Sequence, residues 1–211
     1  MKQSLLIALA AAAAAALGIF AYLQLQPKAA EHALVYEPPR ALAPFRLEHT
    51  RSDTRIHNDA LSGQWTLLFT GYTFCPDICP TTMAQLREAL PELQAVTDTP
   101  VRVWMISVDP KRDDLARLTQ YANYFGEGFS GVRADHVDLF PFVRDLGLMY
   151  SIPGEDEQDY LVNHSAAIVL VNPNGQRHAI FNASHQLGEI PTVNMQHILT
   201  DFPRLVARYQ P

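Results

Sequence analysis

The chain has two cysteines, Cys75 and Cys79, in the segment Gly71-Tyr72-Thr73-Phe74-Cys75-Pro76-Asp77-Ile78-Cys79-Pro80. Four positions apart at the start of a helix, they fall on one face, close enough for both sulfurs to reach a single ion. The positive end of a helix favours thiolate over thiol, and so favours metal binding or nucleophilic attack near neutral pH. Thiolates select Cu(I) or Zn(II) over Mg(II) or Ca(II). The ordinary alternative is a pair of small buried hydrophobes, but Pro76, Asp77 and Pro80 make a constrained polar turn, a poor place for core residues. Two cysteines this close also cannot staple a small domain, so their value is chemical.

Two thiolates leave an ion open, and a third donor is expected. Of eight histidines, His164 stands out in Leu161-Val162-Asn163-His164-Ser165-Ala166-Ala167, immediately before an apolar run that reads as a buried strand. Sulfur with imidazole suits copper, and three such donors hold Cu(I) in a trigonal plane. His32 falls in a spacer, His49, His57 and His136 lie in polar segments read as solvated surface, His178 alternates with apolar residues in a strand, and His185 and His197 have no evident partner. Asp77 is a candidate weak fourth donor for Cu(II).

The elements that must position these residues follow from periodicity. Gln64–Thr70 (QWTLLFT) is a buried strand ended by Gly71, and it leads straight into the cysteine turn. Met83, Leu86, Leu90 and Leu93 place a helix over Pro80–Ala95, which Pro91 is expected to kink or end. Val101–Val108 is a second strand, and Asp109 before Pro110 reads as the cap of a helix through Leu115, Leu118 and Tyr121. A helix Val137–Leu146 follows, then an acidic exposed loop, Pro153–Asp159. Ser165–Val171 and Gln176–Asn182, joined by Asn172-Pro173-Asn174-Gly175, predict an antiparallel hairpin, and Gly188–Arg208 a closing helix. Parallel crossovers first and a hairpin last give an α/β class, a thioredoxin-like fold with a central mixed sheet flanked by helices.

With 211 residues, 48% apolar and 18% charged, one folded domain is expected. A net charge of -6 with no basic cluster excludes nucleic acid as a partner. The run Leu5–Leu25 has Gln24 as its one strongly polar residue and, at about 1.5 Å per residue, would span about 30 Å of bilayer. It reads as an N-terminal transmembrane helix, with a cleaved signal peptide as the rival reading because of the alanine tract. Either one exports the rest. The expected organisation is an anchor over 1–25, a proline-bearing linker over 26–44 and a thioredoxin-like domain over 45–211.

The segments Gly71–Pro80, Ser107–Asp113 (SVDPKRD), Val162–Ala166 and Asn172–Gly175, taken in order, resemble the Sco/SenC copper chaperones of respiratory oxidase assembly. The resemblance implies one Cu(I) or Cu(II) held by Cys75, Cys79 and His164. It also implies a role in copper insertion into, or reduction of the cysteines of, the dicopper CuA site of cytochrome c oxidase subunit II. Another copper carrier would act as donor, and the domain would lie in the periplasm, or an equivalent non-cytoplasmic compartment, on a single-pass inner-membrane anchor. Two positions depart from many relatives, Phe74 for His and Asn163 for Asp. Asp109 and Asp113 match the family's acidic segment, although helix capping suffices to explain them.

The competing reading is an exported thiol-disulfide oxidoreductase cycling Cys75 and Cys79. Three intervening residues, where dedicated reductases have two, and His164 weigh against it, although both roles can coexist. A peroxidase is disfavoured because Pro76 stands where an activating hydroxyl residue would be needed.

Overall fold

The computed structural model describes residues 2–25, 27–152, 160–184 and 191–210, without the side chains of 2, 4–6, 8, 10 and 23–25. Its elements are α1 (Lys2–Leu25), β1 (Leu34–Ala41), β2 (Glu48–His49), β3 (Trp65–Gly71), α2 (Ile78–Ala95), β4 (Val101–Ser107), α3 (Leu115–Phe125), β5 (Phe129–Arg133), α4 (His136–Asp145), β6 (Tyr150–Ser151), β7 (Asn163–His164), β8 (Ile168–Val171), β9 (Gln176–Phe181) and α5 (Met195–Arg208).

Seven strands form one sheet in the order β1-β9-β8-β3-β4-β5-β2. β3, β4 and β5 are parallel, and β8 joins β3 antiparallel. Every residue of β3 is buried, as expected of a strand covered on both faces. Alternation divides its side chains between two cores. Leu67 and Phe69 pack with Met83, Leu86 and Leu93 of α2, Leu118 of α3 and Phe202 of α5. Leu68 packs on the opposite face with Leu61, Leu139 and Phe142. The hairpin β8–β9 forms where expected, with Gly175 at φ +71° in its turn.

Several elements differ from the sequence expectation, among them the short strands β2, β6 and β7, which were not foreseen. Residues 34–41, read as linker, form β1 and pair with β9 across a register shift between Val35 and Arg40. Pro38 and Pro39 are tolerated because β1 is an edge strand, where missing N–H groups face no neighbour. A unit cut at Phe45 would therefore leave β9 unpaired on one side. β5 was not foreseen, because Ser130 and Gly131 interrupt its apolar pattern. α2 runs through Pro91 to Ala95, the bond lost there being that of Arg87, whose surroundings are open to water. α3 begins at Leu115 rather than Pro110.

The expected exposed loop Pro153–Asp159 and residues 188–190 of the expected closing helix lie outside the described residues, and the helix itself begins at Met195, capped by the Asn194 side chain, rather than at Gly188. α1 is a 24-residue helix. Among the described residues, however, no helix is long and apolar enough to cross a membrane, so the transmembrane reading rests on the sequence alone.

The segment after α1 is fastened to the domain by a buried carboxylate. Asp201 of α5 accepts the backbone N–H groups of Glu31, His32 and Ala33 at 2.8, 2.6 and 2.8 Å. The His32 ring stacks on His197, centroids 3.9 Å apart. Burial pushes the Asp201 carboxyl up, but the three N–H donors outweigh it and hold the group below its ordinary range.

Candidate metal centre

The site lies at the carboxyl ends of β3 and β4, where parallel α/β sheets open their crevices. Gly71 ends β3, and a side chain there would press on Met105 Sδ at 3.1 Å and Cys79 Sγ at 3.3 Å. Glycine thus lets the cysteine turn cross close over β4. α2 opens at Ile78, so only Cys79 is helical, and Cys75 stands in the turn before it. The expectation of one helix face carrying both sulfurs is corrected accordingly. Asp77, at the N-cap position, makes no side-chain cap. Cys75 Sγ takes that part instead, accepting the Cys79 N–H at 3.4 Å.

Cys79 is buried and Cys75 half-buried, and neither is in a disulfide. His164 sits in β7, which pairs with β6 so that Tyr150 faces His164 across the ladder. Its Nε2 lies 3.6 Å from Cys79 Sγ. Its Nδ1 lies 3.1 Å from the Ser165 carbonyl and 3.4 Å from Thr70 Oγ1, contacts that leave Nε2 to face the sulfurs. Tyr72 stands edge-on to the ring, centroids 5.9 Å apart.

One donor atom from each of Cys75, Cys79 and His164 lies within 4.8 Å of the others, a grouping able to hold a metal ion. Metal–sulfur and metal–nitrogen bonds of about 2.3 and 2.0 Å, 120° apart, place sulfur and nitrogen about 3.7 Å from each other. The 3.6 Å between Cys79 and His164 fits that without rearrangement.

The two thiols are unequal. Cys75 is lowered from 9.0 to about 4, chiefly because its sulfur accepts a hydrogen bond from Cys79. Burial opposes this, while His164 and the Asp77 and Cys79 N–H groups add to it. Cys79 is pushed up for the reciprocal reason, with burial and the Cys75 charge adding to it. The metal-free pair is thus a thiolate at Cys75 beside a thiol at Cys79.

Of the remaining candidates, Asp77 is exposed and stands outside the three-residue group. His32, His57 and His136 are exposed as expected, whereas His49 is half-buried, edge-on to Trp104 at 5.0 Å. Burial first and then Arg51 hold His49 at about 4, so it is neutral. His178 is buried against Trp65, and His185 lies outside the described residues.

Asp109 and Asp113 are not helix caps. The cap of α3 is Asp114, which accepts the Arg117 N–H at 2.7 Å. Asp109 and Asp113 are wholly buried, and their long-range partners carry no local sequence signal.

A mixed sheet flanked by helices, with two sulfurs and an imidazole converging at its carboxyl edge, defines a thioredoxin-like protein with a soft-metal centre. The SCO1/SenC family pattern matches residues 36–196, and the chain belongs to that family. It is 37% identical over 138 residues to a Stutzerimonas stutzeri protein named for copper binding, covering 65% of this chain and 68% of that one. It is 36% identical to the mitochondrial protein SCO2 homolog of Mus musculus, covering 64% of this chain and 54% of that one, about half the relative's length. The crystal structure of Arabidopsis thaliana ScoI with copper bound superposes with a TM-score of 0.69 at 26% identity, covering 80% of this chain and 99% of that one.

Proposed function

We propose that the chain is a copper-binding metallochaperone that carries one copper ion on Cys75, Cys79 and His164 and assists copper insertion into the CuA site of cytochrome c oxidase subunit II. The observation that carries the reading is the convergence of two sulfurs and one imidazole within 4.8 Å of one another, from segments 85 residues apart, with Cys79 and His164 at trigonal spacing. Soft thiolates with imidazole suit Cu(I), and copper relatives of the same family support the choice of metal. The half-exposed Cys75 gives an acceptor a sulfur to approach, with His164 half-buried beside it, while Cys79 holds the ion from inside. Another copper carrier would load the site. The apolar run Leu5–Leu25 supports a single-pass inner-membrane anchor with residues 45–211 as a periplasmic copper domain, extended by β1.

Anaerobic Cu(I) titration of the full chain, with His164→Ala beside it, tests the reading. One equivalent bound by the wild type and weakened by the substitution supports it. A dithiol indifferent to copper and to His164 overturns it.

A second reading is favoured by one observation, a free, half-exposed Cys75 beside a free, buried Cys79. Cys75 as attacking sulfur and Cys79 as resolving thiol could reduce a disulfide in the same partner. Bound copper would occupy both sulfurs, so the two activities would alternate in one protein.

A further inference from the structure

Three stretches of chain meet at the site: the turn 71–79 with both cysteines, residues 160–164 leading to the histidine, and the loop 107–113 after β4, which supplies no donor. Two buried carboxylates of that loop reach the other two. Asp113 accepts the Thr73 N–H at 2.9 Å, the Thr73 hydroxyl at 2.5 Å and the Ser107 hydroxyl at 2.7 Å. Thr73 is two residues before Cys75. Asp109 accepts the Tyr160 hydroxyl at 2.7 Å and pairs with Arg112 Nε. Arg112 lies over the Tyr160 ring, 3.7 Å from its centroid, and Tyr160 opens the segment that ends in His164. The loop is itself anchored, because the Val108 N–H donates to the Gly71 carbonyl at 2.9 Å and the Asp113 N–H to the Asp109 carbonyl at 2.9 Å. A further tie, the Val162 N–H to the Tyr72 hydroxyl at 3.3 Å, joins the two donor segments directly.

Burying two carboxylates is costly unless each is fully hydrogen-bonded. Neither is spent on capping α3, which Asp114 does alone. Both act on backbone that carries metal donors. Resting on the copper reading above, we infer that Asp113 and Asp109 are positioning residues for the metal site, Asp113 setting Cys75 through Thr73 and Asp109 setting His164 through Tyr160. The two arms end on different donor segments, Thr73 two residues before Cys75 and Tyr160 four residues before His164. Each holds one donor segment to a common loop, so cysteine and imidazole are placed relative to each other before an ion arrives. Such outer contacts are worth about 10–100-fold in metal affinity where they have been removed from other sites.

The different end points of the arms give a test that a merely structural role would fail. In the full chain, Cu(I) affinity is measured by competition with bicinchoninate for Thr73→Val, Thr73→Ser and Tyr160→Phe. The same changes are made in His164→Ala and Cys75→Ser backgrounds, and the melting temperature of each copper-free protein is recorded. Thr73→Val and Tyr160→Phe are expected to weaken copper about tenfold, while Thr73→Ser, which keeps the hydroxyl, stays near wild type. The Tyr160→Phe loss should vanish in the His164→Ala background and persist in Cys75→Ser. The Thr73→Val loss should do the reverse.

Losses that persist in every background, or that follow falling melting temperature, overturn the inference, as does unchanged affinity in both variants. The copper reading fails separately, if the wild type binds no equivalent of copper. In that event the Cys75 arm is read from iodoacetamide alkylation of the copper-free protein. Faster reaction in Thr73→Val, with Tyr160→Phe at the wild-type rate, supports that arm, and equal rates in all three overturn it.

Discussion

Two regions of this molecule bury carboxylates for different ends. Asp201 gathers three consecutive N–H groups, Glu31 to Ala33, from a stretch without a metal donor, and the result is attachment of the chain after α1 to α5. Asp109 and Asp113 gather hydroxyls and an N–H from the stretches that bear Cys75 and His164. The bonding is alike, and what differs is the cargo of the held segment. A buried acid in this fold therefore acquires its meaning from its donors' neighbours rather than from its own surroundings.

The comparison can be broken at several points. The largest effect is expected at the clasp, where Asp201→Ala takes the buried acceptor away from three N–H groups and should lower unfolding stability by about 4 kcal/mol. Denaturant titration measures this, and copper affinity should be unmoved. Because the Asp201 carboxyl is held below its ordinary value, its contribution is present above the unfolded value of 3.8 and lost as pH falls through the folded one. The deficit of the variant should shrink correspondingly in acid.

At the site, His164→Ala should weaken Cu(I) by about 100-fold, equivalent to about 2.7 kcal/mol. Chelator competition reads the change, with the copper-free melting temperature nearly constant.

A smaller effect sharpens the thiol asymmetry. Iodoacetamide should modify Cys75 with an inflection well below the 9.0 of an ordinary thiol, and Cys79→Ala should move that inflection upward by removing the main hydrogen-bond donor. An inflection near 9 in the wild type would contradict the thiolate described at Cys75.

The smallest effect is expected at Asn163, exposed beside His164 in β7. Asn163→Asp adds a negative charge next to the site, which favours Cu(II) over Cu(I). It should lower the copper potential by about 20–60 mV, equivalent to about two- to tenfold in relative affinity. Unchanged potential and affinity would remove Asn163 from consideration.

Much of this was legible in the sequence for definable reasons. Strand β3, helix α2 and the β8–β9 hairpin announce themselves because period and turn chemistry are local. The cysteine pair is legible for the same reason. His164 is placed by its position before β8, but the ladder with β6 that presents it joins residues far apart in the chain. Asp109 and Asp113 mislead because a carboxylate before a helix reads as a cap whether it serves the next turn or, as Asp109 does, a tyrosine 51 residues away. β1 is hidden by Pro38 and Pro39, which argue against a strand anywhere but at an edge, and sequence alone does not say where the edge will be.

Those two prolines have a consequence of their own. An open sheet offers unpaired N–H and C=O groups along both borders to any neighbouring chain. Here one border is β1, which has no N–H at Pro38 and Pro39, and the other is β2, two residues long. Neither can template a growing stack of strands. Molecules crowded together can thus meet repeatedly at the half-buried Cys75 without zipping into fibrils along their flanks.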